Sequence, residues 1–506
     1  MCQRLLLGIG LVATASLASC QTQESATTNE WFRIKAESPA DRSEINVSYA
    51  GDMNEDGVDD VIIRYDKDSD GYGTYVIYGK VTGFTHVNLD TLQPKEGFKI
   101  RVNSDSGYLT PDAGIGDVNG DGIADFVVAA RNSEAYIIYG KSGVNDDVDI
   151  NINSLSFDNG FRIHGTNKTY EWAEMFSSAG DVNGDGLDDL IIAGGHRLLH
   201  GSGLQAYVIY GSSNRLSDIN LDVLMPDVGF EIRGTEHSSK LESASGAGDV
   251  NGDGVDDLII GFSYNHGYSG EYKMARSGRT YLIYGSSARL DDIDLSILAP
   301  VDGFVMEGRN LAPEEGWTSA MSGRSAGDVN GDGVDDFIVS EIGYGVYVVY
   351  GGGSRPGRVL LSRLPVDEGF IIYRRGYFDG SVSDAGDVNG DGLDDFIIKD
   401  ESNVFVIFGK RHRSGKFFNA ADMQPKDGFR IQGAGNWKYF ASGVSASGDV
   451  NGDGIDDIII DVDCFERDNT NNFIDNGVAY VILGRKEVPF GSSVTVGADP
   501  DYCPPQ

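Results

Sequence analysis

The sequence predicts an all-β fold, a seven-bladed β-propeller of four-stranded antiparallel blades, on three observations. An acidic nine-residue stretch recurs seven times, beginning at Asp52, Asp117, Asp181, Asp249, Asp328, Asp387 and Asp449. Short apolar runs follow each copy in the same order, without helical periodicity. One such run stands alone near the start of the chain while the last unit lacks it, an offset that closes a ring.

Each acidic stretch reads D-x-N-x-D-G-x-x-D, and its chemistry suits calcium. Hard divalent cations take oxygen ligands in a flexible cage, and alternate positions of a tight loop converge on one ion. The expected ligands are Asp52, Asn54, Asp56, Val58 and Asp60 in the first loop, then Asp117, Asn119, Asp121, Ile123 and Asp125. The third and fourth loops supply Asp181, Asn183, Asp185, Leu187 and Asp189, and Asp249, Asn251, Asp253, Val255 and Asp257. The last three supply Asp328, Asn330, Asp332, Val334 and Asp336, then Asp387, Asn389, Asp391, Leu393 and Asp395, then Asp449, Asn451, Asp453, Ile455 and Asp457. Position 7 is apolar throughout and offers only its backbone carbonyl. Position 6 is always Gly, which permits the positive φ of a sharp turn. Position 8 is Asp six times but Ala124 in the second copy, so it is not counted as a ligand. One such loop could be an Asx-rich turn without metal, but seven copies with the same side-chain oxygens favour the ion. Up to seven Ca2+ ions are expected, one per blade.

Loop starts are 65, 64, 68, 79, 59 and 62 residues apart. After each loop comes a β-rich run such as Leu190-Ile191-Ile192, then a strand ending in Gly such as Tyr207-Val208-Ile209-Tyr210-Gly211. A further strand has the form G-F-x-[IM], as at Gly97-Phe98-Lys99-Ile100. Small residues such as Ser177-Ser178-Ala179-Gly180 precede each loop and suit a crowded central strand. A lone four-stranded sheet cannot bury both faces, so the units must stack. The orphan Trp31-Phe32-Arg33-Ile34 is expected to complete the last blade and remove its open edge.

The chain begins with an address. Met1 to Ser19 reads as a secretory signal, and Leu17-Ala18-Ser19-Cys20 resembles the lipobox of bacterial lipoproteins, which implies cleavage before Cys20 and its lipidation. Residues 20–30 then form a polar tether, residues 31–484 the propeller and residues 485–506 a tail. The expected location is the bacterial cell envelope or surface, held by lipid alone, because no stretch reaches the roughly 20 apolar residues of a membrane span. The formal charge of −38, which seven Ca2+ ions would bring to −24, argues against nucleic acid, for which a basic stripe is needed. Cys464 and Cys503 remain as an even pair in an exported chain and are expected to form a disulfide.

The seven units resemble the FG-GAP repeats of the integrin α-subunit propeller and its bacterial relatives, whose calcium motif is G-D-x-N-x-D-G-x-x-D. The family's Phe-Gly ahead of each loop is only partly kept: Tyr108, Trp172, Phe378 and Phe440 supply the aromatic, while Leu109, Ala173, Asp379 and Ala441 replace the Gly. The resemblance implies calcium loops on one face and recognition loops on the other, with Trp172 at the family's structural aromatic position in the core; Trp31 is expected in the core because it sits in the closing strand. Nothing resembles the family's leg domains, membrane helix or inserted domain, so integrin signalling is not implied.

No catalytic constellation stands out. The seven His residues occupy non-equivalent positions, and His196 and His200 fall in a loop rather than on a helix face. Trp317 and Trp437 lie in connections between blades, and Tyr264, Tyr268, Tyr272 and Arg276 in a long insertion of the fourth unit, all on the expected recognition face. These residues are the candidate docking surface for a protein or polysaccharide. The expected function is that of a surface-anchored, calcium-binding adhesion or recognition module. The alternatives are a polysaccharide lyase or hydrolase on the same scaffold and a structural spacer in an envelope assembly; fold alone does not choose between them.

Overall fold

A computed structural model describes residues 31–35 and most of 45–496. Outside it lie 1–30, 36–44, 102–112, 167–174, 195–204, 265–277, 309–320, 374–377, 412–416, 434–439, 463–464, 468–472, 487–492, 497–506 and fourteen further gaps of one to four residues. Among the described residues seven five-stranded sheets form the blades, and each begins with an inner strand that ends at one of the acidic loops. In the third blade the inner strand Met175–Gly180 pairs antiparallel with Asp189–Gly194, which pairs with Gln205–Ile209, which pairs with Gly229–Arg233. In six blades the four main strands follow the order of the sequence, the seventh takes its fourth from the start of the chain, and all seven acidic loops emerge on one face.

The orphan segment closes the ring. Trp31–Lys35 pairs antiparallel with Val478–Ile482, in the register Trp31 to Ile482 and Lys35 to Val478. Trp31 packs partly buried against the core and meets Tyr480 edge-on, with ring centroids 5.3 Å apart.

The blades differ from the expected four strands in one respect. Each sheet has a fifth, parallel strand of two to four residues along its outer edge, donated by the following repeat. Ile293–Asp294, for example, belongs to the fourth repeat but pairs with the outer strand of the third, Ile232 to Ile293 and Arg233 to Asp294. At the seam Val87–Asn88 pairs with Ile34–Lys35. Ser493–Val496, within the segment read as a tail, does the same for the sixth blade's Gly428–Gly433. A strand of two residues has no room for alternation, which is why sequence patterning does not reveal it. The connection after Val462 in the seventh blade also holds a small hairpin, Phe465–Arg467 with Phe473–Asp475.

The core is divided among the seams between blades. Seven clusters of buried apolar residues each draw on two neighbouring blades, because every strand's two faces point to different neighbours. The Phe of the G-F-x-[IM] strand is the hinge of each cluster. Phe98 lies 6.0 Å from Tyr78 of its own blade and 6.5 Å from Phe126 of the next, ring centroid to centroid. The pattern repeats at Tyr284, Phe304 and Phe337 and at Tyr350, Phe370 and Phe396. Phe440, one of the motif aromatics, is buried at 1% exposure in the cluster between the sixth and seventh blades.

Candidate metal loops and the central channel

The third loop shows how the sequence builds its geometry. The inner strand slips register between Ser178 and Gly180, a bulge that turns the chain out of the sheet. Gly180 has φ +72° and Gly186 φ +87°, backbone conformations that disfavour a side chain. Asp181 then organises the turn, its Oδ1 accepting from the Asp185 N–H at 3.0 Å and its Oδ2 from the Gly186 N–H at 2.7 Å. Asp185 Oδ1 accepts from the Leu187 N–H at 3.1 Å. Leu187 itself lies against Gly211, where an added Cβ would sit 2.8 Å from the leucine Cβ. Its outer carbons meet the preceding loop, where an added Cβ on Gly120 would sit 2.8 Å from Leu187 Cδ2, an environment that suits an apolar seventh position.

Asp189 is fully buried at the base of the loop. Its Oδ2 accepts from the Val182 N–H at 3.0 Å and its Oδ1 from the Gly211 N–H at 2.8 Å, with Asn183 Nδ2 at 3.4 Å from both oxygens. Burial pushes its carboxyl up to about 8; the two amides oppose that shift, and the charges of Asp185 and Asp181 add to it. Asp125, Asp257, Asp336 and Asp457 are likewise pushed up to about 8, chiefly by burial.

Among the described residues, no three Asp, Glu, His or Cys side chains gather closely enough to make a ready-made metal cage. The donor set nevertheless fits a hard divalent cation. Asp117 and Asp121 raise the Asp125 carboxyl by their charge, so the acids of one loop already feel one another. Asn54 Oδ1 in the first loop is buried with no hydrogen-bond partner, an acceptor at an expected ligand position. A divalent cation would relieve both conditions.

Position 8 has a role that sequence reasoning missed. Its carboxylate reaches across the seam to the preceding blade's loop: the Asp181 N–H donates to Asp256 Oδ2 at 2.8 Å. Asp188, Asp335, Asp394, Asp456 and Asp59 do the same for Asp117, Asp249, Asp328, Asp387 and Asp449. The glycine before each loop leaves room for this latch, since a Cβ on Gly180 would lie 2.3 Å from Asp256 Oδ2. Ala124 stands at the seventh seam, against Gly51, and supplies no carboxylate. A second tie is present at every seam, as where the Ser286 N–H donates to the Val182 carbonyl at 2.9 Å and the Lys80 N–H to that of Val450 at 2.9 Å.

The inner strands of all seven blades surround a central cavity of about 740 Å³. Four residues before each loop, its wall carries Ser48, Ala113, Ser177, Ser245, Arg324, Ser383 and Ser445. Arg324 stands alone in a column of small residues. That exception is legible in the sequence once the seven loops are aligned, but a single Arg in a small-residue segment carries no signal without the ring. Tyr49, Glu242, Asp384 and Asp461 also line the cavity.

Of the expected docking residues, Trp317, Trp437, Tyr268, Tyr272 and Arg276 lie outside the described residues; Tyr264 ends a strand, Asp257–Tyr264. Cys20, Cys464, Cys503, His196, His200 and Trp172 also lie outside them.

No protein-family model matches the chain. It is 30% identical over 186 residues to the phosphatidylinositol-glycan-specific phospholipase D of Bos taurus, covering 36% of this chain and 19% of that protein. The Rattus norvegicus enzyme is 31% identical over 213 residues, 40% of this chain and 23% of the relative. Integrin alpha-V of Gallus gallus is 26% identical over 257 residues, 49% of this chain and 21% of the integrin. The chain thus spans about a fifth of the length of these relatives. Among solved structures, BBS1N in complex with ARL6DN superposes with a TM-score of 0.37 at 8% identity, covering 88% of this chain and 96% of that one. The WD40 domain of SCAP from fission yeast gives 0.34 at 8% identity, covering 90% and 88%. The seven-bladed assignment rests on the strand pairing, and the integrin similarity fits it as a propeller of the integrin-α kind.

Proposed function

We propose that this chain is a calcium-braced recognition propeller, exported and held at the cell surface by a lipid on Cys20, that binds a protein or polysaccharide on the face opposite its acidic loops. The carrying observation is a contrast between the two faces. Every acidic loop keeps nine residues and the same donors, whereas the connection from second to third strand ranges from three residues after Asp400 to fifteen after Val462. Invariant length accompanies a structural job, and variable length leaves room for recognition. Calcium would be held by the Asp, Asn and backbone oxygens of each loop, and its charge would offset the crowding of buried carboxylates. The pair Cys464 and Cys503 would join the last blade to the residues after it, as suits an oxidising location.

The test is a glycan and matrix-protein array probed with and without calcium, followed by a double Trp317→Ala, Trp437→Ala variant. Truncating two true anchors should weaken binding at least thirtyfold, since each hot spot contributes about 2 kcal/mol or more. A variant that folds with an unchanged melting temperature and binds as tightly as the parent removes those tryptophans from the docking surface.

The serine-lined channel supports a second reading, a polysaccharide lyase or hydrolase on the same scaffold; the phospholipases are matched over only about a fifth of their length. Product formation from any array ligand would favour it over the binding module.

A further inference from the structure

We propose that the central channel is a binding site for a sugar acid, with Arg324 taking the carboxylate and the serine-lined wall taking the hydroxyls. This inference rests on the channel alone and is independent of the docking face, whose tryptophans lie in other segments.

Arg324 is the first ground. A guanidinium stays charged in any protein environment and has five donors to satisfy. Among the described residues, none forms an ion pair or hydrogen bond with Arg324; Asp384 acts on it only as a charge. Partial burial on the channel wall lowers its basicity. The second ground is Ser245, at the equivalent position on the neighbouring inner strand. It is 5% exposed, lines the cavity, and its Oγ has no partner. A buried hydroxyl without a partner is uncommon enough to call for one.

The acids on the wall decide which anion fits. Glu242, Asp256, Asp384 and Asp461 share the cavity with Arg324, so a compact dianion such as phosphate would meet repulsion on most sides. A singly charged acid with several hydroxyls meets about half of that repulsion and can use the acids as acceptors. Its carboxylate pairs bidentately with the guanidinium, and its hydroxyls donate to the carboxylates and exchange hydrogen bonds with serines. Tyr49, 40% exposed on the same wall, offers a ring against which the apolar face of a sugar can lie. The volume of about 740 Å³ falls within the range of small-molecule sites, roughly 300–1,000 Å³.

The experiment titrates the full chain in millimolar calcium with galacturonate, its trimer, galactose and inorganic phosphate, read by calorimetry and ligand-observed NMR. Galacturonate or its trimer should saturate, with galactose and phosphate at least about tenfold weaker, the scale of one lost charged hydrogen bond. Arg324→Ser reproduces what five other blades carry, so it should keep the melting temperature and lose about 10- to 100-fold in affinity. Arg324→Lys should recover part of that loss. Ser245→Ala provides an independent check should Arg324→Ser fold poorly, with a few-fold weakening expected. The proposal is overturned if neither uronate saturates, if phosphate or galactose binds as tightly, or if a folded Arg324→Ser protein, or Ser245→Ala where Arg324→Ser does not fold, binds like the parent.

Discussion

The main-chain N–H of Asp449 donates to Asp59 Oδ2 at 2.9 Å, although 390 positions separate the two residues. This is the closing seam, and it uses the same bond as five other seams. The reverse backbone bond, from the Asp59 N–H to the Asp449 carbonyl at 3.1 Å, makes the tie reciprocal. Tyr49 adds its hydroxyl to Asp59 Oδ1 at 3.2 Å.

Replacing Asp59 with Ala should therefore destabilise the ring by about 1–3 kcal/mol, because the Asp449 amide and the Tyr49 hydroxyl lose their acceptor together. Asp59→Asn, which keeps one acceptor oxygen, should cost less. Denaturant unfolding in calcium measures both; equal stability of Asp59→Ala and the parent would exclude a latch.

The seam at Ala124 offers the converse. Ala124→Asp should supply the missing acceptor for the Asp52 amide and stabilise the protein by about 0.5–1.5 kcal/mol. The expected readout is a higher melting temperature in calcium at neutral pH. A lower one would mean that the added like charge beside the neighbouring acids outweighs the bond.

Within one loop, two ligand candidates should separate. Asp185→Asn should weaken calcium binding while leaving the metal-free melting temperature nearly unchanged, since this side chain serves only the loop's own turn. Asp189→Ala should lower stability with or without calcium, because the Val182 and Gly211 amides lose their shared acceptor. Millimolar calcium should raise the parent's melting temperature, as sites of this class bind at roughly 10⁻⁴–10⁻³ M. An unchanged melting curve after adding excess chelator would remove the metal assignment.

Stability against pH should change sign with calcium. In chelator, the buried Asp189 carboxyl titrates near 8 in the folded chain but near its ordinary value, about 3.9, when unfolded. The folded state then holds more protons at this site between those values, so this group's contribution to stability is fully present below pH ~4 and is lost as pH rises toward 8. Calcium needs the ionised carboxylate, so its stabilising effect should grow over the same interval. Melting temperatures from pH 5 to 8, with and without calcium, check both slopes.

Deleting Trp31–Lys35 should destabilise the protein far more than deleting residues 21–28. The first segment forms a five-residue antiparallel pairing and holds Val87–Asn88 on its other edge. Thermal melting of the two truncations decides; equal losses would mean that the ring does not depend on this closure.

Ring, blade number and closure are legible in the sequence because they repeat: one loop is ambiguous, whereas seven at near-constant spacing are not. The role of Asp188 or Asp256 is hidden for the opposite reason, since its partner lies in another repeat and no local pattern betrays it. Ile293–Asp294 is too short to alternate. The loop spacing points its alternate positions toward one ion. Asp189 is also a structural acceptor for two amides, a function that its spacing from Asp181 does not encode.

The closing strand sets a schedule as well as a shape. Trp31 is synthesised 451 residues before Ile482, the residue it pairs with. At about 5–20 residues per second, that gap lasts roughly 20–90 s. During this time the earliest strand of the ring has no sheet to join, and the first repeat's Val87–Asn88 has no edge to lie on. Completion must await the far end of the chain, so an unfinished product keeps an open sheet edge, the feature that invites pairing with other chains. A circular permutant that moves Trp31–Lys35 behind Val478–Ile482 would make the seventh blade continuous, and following ring closure of both chains during cell-free synthesis would measure how much of the assembly time is spent waiting.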